Sequence, residues 1–192
     1  MLPKGEKYMD IRSQRTRQNI CDCFIHLLNE KTVAKITVTE ICEMAHINRA
    51  TFYKHFLDVP DLLENLTQQV LAELQQFLEQ HPQRQFEEMI LDILCYMKQN
   101  GQRYLALGSE KADPNLAAKT FAMCYQSVFP VLEKQLPRQN PEQKKLLYYY
   151  LSQGCGGVLS HWLSSGMKQE PQEIANFIMR ASIHTVRGFQ EE

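Results

Sequence analysis

The segment from residue 36 to residue 56, ITVTEICEMAHINRATFYKHF, constrains the fold more than any other part of this chain. It predicts two short helices joined by a tight turn. Thr37 and Glu40 have the Thr-x-x-Glu spacing of a capping box, in which the hydroxyl accepts from a backbone N–H three residues on and the carboxylate reaches back. Ile41, Met44 and Ala45 then recur at helical spacing, and Ala45 is small enough for a second helix to cross closely. His46 and Ile47 form the turn, with Ile47 as its apolar plug, and Asn48 is a good N-cap for the next helix. That helix reads Arg49 to Phe56, with Phe52 and Phe56 four apart and facing a core. The layout is a helix-turn-helix, a device that places one helix in the major groove of DNA.

The remaining side chains of the second helix suit that task. Arg49 can grip a guanine with two hydrogen bonds, and Ala50 or Thr51 can touch a thymine methyl. Tyr53, Lys54 and His55 can hold phosphates, which sets register more than sequence choice. A first helix is expected from Ile11 to Glu30, with an apolar stripe of Ile20, Phe24, Leu27 and Leu28. Arg12, Arg15, Thr16 and Arg17 crowd its N-terminal end, where a phosphate is well received. Arg17 and Thr37 complete the expected DNA-binding set. The three helices are expected to close around Phe24, Ile36, Ile41, Phe52 and Phe56.

Residues 12–63 resemble the DNA-binding region of the TetR family of one-component transcriptional regulators, most specifically from Ile47 to Phe56. Two positions depart from the family pattern. The family favours Gly in the turn, where this chain has His46, a residue that tolerates positive φ better than most. The family also favours Lys three residues after the last Phe, at a phosphate. Here that position is Val59, and the role is not carried onto it.

The charge distribution agrees with a basic N-terminal part. Residues 1–57 hold nine Lys or Arg against six Asp or Glu, and residues 58–192 hold twelve against sixteen. A net charge of −1 therefore conceals +3 followed by −4. So modest an excess needs local clustering and two copies of the domain to give affinity. Six cysteines, Cys21, Cys23, Cys42, Cys95, Cys124 and Cys155, form no Cys-x-x-Cys pair and no zinc spacing, so buried free thiols are expected, with a thiol redox sensor as the sharper alternative. No metal or cofactor is expected. The absence of a long apolar run or signal-like N-terminus leads to the expectation of a cytoplasmic chain without membrane contact.

Beyond residue 57 the pattern stays helical, and the fold class expected is all-α. A three-helix unit over residues 1–57 should precede a larger helical ligand-binding and dimerisation domain over 58–192. Asp58 can cap a fourth helix that carries Leu62, Leu66, Val70, Leu74 and Phe77 and ends near His81. Further helices are expected over 83–100, 102–107, 113–136 with a kink at Pro130, 141–165 and 171–189. Gly154, Gly156 and Gly157 fall inside a helix, where each costs about 1 kcal/mol relative to Ala, so close approach of another helix is expected to offset them.

The C-terminal end resembles the same family in its Gly-rich stretch, Trp162, Ser165-Gly166-Met167 and acidic-Pro helix start. That resemblance implies that the last two helices pair with their copies in a homodimer, through Gly154, Gly157, Val158, Trp162, Phe177 and Ile178. It also implies a pocket for an unknown small-molecule effector that shifts the fourth helix. Candidate lining residues are Met89, Tyr96, Met97, Tyr104, Met123, Tyr125, Phe129 and Trp162, Met and aromatic side chains that make adaptable walls. The function expected is a homodimeric regulator, more a repressor than an activator, released by its effector from a palindromic operator in double-stranded DNA. The alternative is a protein-recruited coregulator with weak DNA affinity, motivated by His46 and Val59. An enzyme is not expected, because no nucleophile–base pair or phosphate loop stands out, and His26 and His161 read as packed or surface side chains.

Overall fold

Among the described residues the stretches with 3.6-residue apolar spacing form helices, and no strand occurs. The computed structural model describes residues 11–80, 86–109, 111–113, 115–123, 129–130, 133–134, 136 and 138–190. The helices are α1 (Ile11–Glu30), α2 (Val38–Met44), α3 (Arg49–Tyr53), α4 (Val59–Glu79), α5 (Phe86–Gln99), α6 (Gly101–Leu107), α7 (Leu116–Met123), α8 (Pro141–Ser164) and α9 (Pro171–Gln190), with a 3-10 turn at Val33–Lys35. The expected helix over 113–136 lies partly outside the described residues. Its described part is α7, together with helical residues at 129–130 and 133–134.

The chain divides into two compact units, Met1–Leu66 and Thr67–Glu192. The division falls inside α4, whereas the break expected from sequence lies just before that helix, at residue 57. In the first unit α1 turns one stripe inward, and Ile20, Phe24, Leu28, Ile41, Phe52, Phe56 and Leu62 are fully buried together with the small Ala45. Val59, at the position where the family favours Lys, is buried as well.

In the second unit α7 packs on α8, and α9 packs on both α5 and α8. Ile90, Leu94 and Met97 of α5 and Leu159 and Trp162 of α8 are buried, as are Ala175 and Ile178 of α9. A separate apolar group gathers Leu136, Leu147, Tyr148 and Val186, with Phe129 and Leu151 against it. Ion pairs join Glu73 to Arg103 at 2.9 Å and Lys98 to Glu170 at 2.8 Å. No helix among the described residues is long and apolar enough to cross a membrane.

Two helices end in the same way. At the end of α2 the N–H of Ile47 donates to the Cys42 carbonyl at 3.0 Å and that of His46 to the Glu43 carbonyl at 3.3 Å. At the end of α8 the N–H of Met167 donates to the Trp162 carbonyl at 2.9 Å and that of Gly166 to the Leu163 carbonyl at 3.0 Å. Both are Schellman caps, which need a left-handed residue after the helix. Gly166 takes φ 82° at the second, and His46 takes φ 54° at the first. The turn thus keeps its geometry without glycine, at a steric cost.

Gly108 after α6 is required for space. A Cβ there would lie 2.8 Å from Leu163 Cδ1 and 2.9 Å from the Tyr104 carbonyl oxygen. Two outcomes follow, both read by urea denaturation. His46→Gly relieves the left-handed penalty and raises stability by about 1 kcal/mol. Gly108→Ala forces backbone displacement and lowers stability by about 1–3 kcal/mol.

Candidate nucleic-acid interface

The helix-turn-helix is built from its caps inward. Thr37 Oγ1 accepts from the Glu40 N–H at 3.3 Å, and Glu40 Oε2 accepts from the Thr37 N–H and hydroxyl, both at 2.9 Å. Lys31 binds the other carboxylate oxygen. That ammonium, followed by the two Thr37 donors, holds the Glu40 carboxyl down at about 2. Thr37 therefore spends its hydroxyl on capping α2. Asn48 caps α3, its Oδ1 accepting from the Thr51 N–H at 2.8 Å and the Thr51 hydroxyl at 2.9 Å. From α1, Asn19 donates to the Ala45 carbonyl at 2.9 Å, tying α1 to the turn.

α3 ends at Tyr53, three residues short of the expected Phe56, because Lys54 to Phe56 leave the helix as hydrogen-bonded turns on Thr51 and Phe52. Phe52 and Phe56 nevertheless both reach the core, with ring centroids 5.9 Å apart. Arg49, Ala50, Tyr53 and Lys54 are exposed, and Thr51 and His55 are half-buried. Arg49 donates to the Thr39 hydroxyl at 2.6 Å, which positions the guanidinium at the α2–α3 junction.

The structure brings Arg17 to the far end of α3. Its guanidinium lies 5.1 Å from the centroid of the Phe56 ring, and it donates to Asn65 Oδ1 at 3.4 Å. The His55 and Phe56 rings are 6.4 Å apart. Burial, then the positive charges of Arg17 and Lys54, depress the pKa of His55. Arg17 of α1 thus lies with Lys54 and His55 of the turn after α3 on one side of the unit, two cations beside a neutral imidazole from segments far apart in sequence. Thr39 and Asn65 were not singled out from sequence, since only the fold shows that each holds an arginine.

The other expected sites fare differently. Trp162 and Ile178 are 0% and 1% exposed, enclosed by the chain's own core, so neither offers a surface to a partner. The Trp162 indole N–H donates to the Gln169 carbonyl at 3.0 Å, a bond that pins the segment before α9. Gly154, Gly157 and Phe177 are exposed and Val158 is half-buried. Nothing lies within 4 Å of a Cβ built at Gly154 or Gly157, so no helix among the described residues offsets those glycines. Among the pocket candidates, Met97 and Tyr104 are buried, and Met89, Tyr96, Met123 and Phe129 are half-buried. Tyr125 and Cys124 lie outside the described residues. Tyr96 and Tyr104 of this set are in ring contact, and Phe77, expected as one more apolar residue of its helix, joins them through Tyr96. Phe129 belongs instead with Tyr148, in an edge contact at 6.0 Å. Burial raises the thiol pKa of Cys23, Cys42 and Cys155, which disfavours the reactive thiolate that redox sensing needs.

Residues 84–184 match the family model TetR_C_8, the transcriptional regulator C-terminal region, over more than half of the chain. An uncharacterized HTH-type transcriptional regulator of Bacillus subtilis (strain 168), YxbF, is 29% identical over 179 residues, covering 88% of this chain and 45% of the relative. The chain therefore spans about half the length of that relative. The crystal structure of a TetR transcriptional regulator from Streptococcus agalactiae 2603V is 26% identical with a TM-score of 0.69, covering 89% of this chain and 95% of that one. NalD, the secondary repressor of the MexAB-OprM multidrug efflux pump in Pseudomonas aeruginosa, is similar in fold at 17% identity and a TM-score of 0.66, covering 90% of this chain and 97% of that one. A family of regulators accounts for the chain without an enzymatic activity, and the chain belongs to the TetR family of transcriptional regulators.

Proposed function

We propose that this chain is a homodimeric repressor that binds a palindromic operator and is released by a small-molecule effector. The observation that carries the reading is the doubly capped helix-turn-helix, which presents Arg49, Ala50, Tyr53 and Lys54 to solvent while Phe52 and Phe56 anchor it. In this reading Arg49, Ala50 and Thr51 meet base edges. Tyr53, Lys54, His55 and Arg17 hold phosphates, and Thr37 presents its N-terminal turn to the backbone. A dimer seated across a promoter represses by occupying it. An effector acts by binding one conformation of the C-terminal unit more tightly than the other.

Exposed faces support the dimer. Leu146 and Tyr150 lie on one side of α8 with Gly154, Gly157 and His161, all exposed. Phe177, Ala181, His184 and Gly188 form an exposed stripe on α9. A second copy laid against them would bury large apolar side chains and approach the glycines closely, offsetting their cost in helix propensity. Two reading heads about 34 Å apart would then meet successive major grooves. The recruited-coregulator alternative loses its support from His46, since the turn adopts the required φ with His in place.

Fluorescence anisotropy on DNA upstream of the gene, against a shuffled duplex, tests the reading. Selective binding by a dimer is expected, and equal weak binding to both duplexes would sink it. Lys54→Ala lowers affinity for all sequences and reduces the log–log salt slope by about one. Arg49→Ala costs about 1–3 kcal/mol and relaxes selectivity at one base pair. For His55 the sign follows from its surroundings. Its depressed pKa keeps the free ring neutral at pH 7. A bound phosphate favours the imidazolium, so binding takes up a proton. Operator affinity therefore rises as pH falls below neutrality toward the lowered pKa of the free ring, and His55→Gln removes that dependence.

A further inference from the structure

Tyr104 on α6 is 1% exposed, and its phenol oxygen has no hydrogen-bond partner among the described residues. Leaving a buried donor unpaired is costly, and natural cores rarely tolerate it without a reason. The surroundings suggest one. The Tyr104 ring meets Tyr96 of α5 edge-on at 6.3 Å, and Tyr96 lies tilted against Phe77 of α4 at 4.8 Å. The neighbouring charges are already satisfied. Arg103 is paired with Glu73 at 2.9 Å, and Glu73 also accepts from Gln69 at 2.8 Å.

We propose that Tyr104 is the polar anchor of an effector site for an uncharged, flat aromatic molecule carrying a carbonyl or ether oxygen. The Tyr104 hydroxyl donates to that oxygen, and the rings of Tyr96 and Phe77 contact the apolar body. An anionic ligand would need a free cation, and the nearby arginine is held by Glu73. A cationic ligand would need Glu73 released from Arg103. Burial, then Tyr96 and Glu73, push the phenol far above its ordinary range, so it remains a donor throughout the physiological range. The three helices that supply Phe77, Tyr96 and Tyr104 include α4, so a ligand held there bears directly on the setting of that helix. Thr67 Oγ1 is a second buried oxygen without a partner among the described residues, but it lies ten residues before Phe77 on α4, about 15 Å along the axis, and is not part of this group. The proposal rests on the reading of the C-terminal unit as an effector domain.

The test uses the full chain and two dyes, the neutral ketone 6-propionyl-2-(dimethylamino)naphthalene and the anionic 8-anilinonaphthalene-1-sulfonate. The expected result is saturable binding of the ketone, one per chain, without competition from the anion. Tyr104→Phe keeps the ring and removes only the oxygen. It should weaken ketone binding about tenfold, the loss of one hydrogen bond, while leaving the Tm of the free protein equal or higher because an unpaired donor is gone. Unchanged affinity in Tyr104→Phe, full competition by the anion, or absence of saturable binding overturns the proposal. So does a lower Tm in the variant, which would mean that the hydroxyl is bonded in the free protein. Operator anisotropy on the same preparations separates the two readings. Retained operator binding with no ketone site removes the effector proposal alone, and ketone binding without operator binding removes the repressor reading alone.

Discussion

Burial of Phe52 and Phe56 in the core of the first unit is the constraint on which the DNA-facing surface depends. α3 has five residues, far below the length at which an isolated helix persists in water. Its two caps supply a few hydrogen bonds, each worth about 1 kcal/mol net, and these alone cannot order it. The two rings, enclosed with Phe24, Ile20 and Ile41, hold the segment in place and so aim Arg49, Tyr53 and Lys54 outward. The same burial presents the Phe56 ring to Arg17, so one packing event also draws the α1 arginine toward Lys54 and His55. Position and charge at this surface have a common origin.

The C-terminal unit shows the opposite relation between packing and surface. Its core is closed by Trp162, Leu159, Ile178 and Met97, and Gly108 leaves no room for a Cβ beside Leu163. Yet Leu146, Tyr149, Tyr150 and Phe177 remain more than half exposed on α8 and α9. Exposed aromatic residues beside exposed glycines describe a surface suited to another helix rather than to water. The glycines at 154 and 157 and the buried glycine at 156 thus divide by face, although they sit within four residues of one another.

Local signals in the sequence determined most of the secondary structure. The Thr37–Glu40 capping box, the Asn48 cap and the Pro141 and Pro171 helix starts act through bonds to near neighbours, so their effects are visible without a fold. Apolar spacing similarly revealed the inward faces of α1, α4 and α5. The left-handed residue at His46 was anticipated as well, through the resemblance to a family whose turn favours Gly there. The end of α3 was misjudged by three residues, since the apolar i,i+4 pair Phe52–Phe56 persists in a turn as well as in a helix.

Tertiary structure alone decided which distant side chains meet. Trp162 and Gly154 share a helix, but only packing shows that one faces the core and the other open space. Phe77 looked like one more apolar residue of α4 until Tyr96 was placed against it, with Tyr104 beyond, and Thr39 and Asn65 carried no local mark of the arginines they hold. The sequence by itself thus determined the helices, their caps and the helix-turn-helix, because those depend on neighbours within about one turn. The meeting of Arg17 with Lys54 and His55, the orphaned Tyr104 hydroxyl and the outward face of α8 were decided by folding, because each depends on contacts or burial that no local spacing encodes.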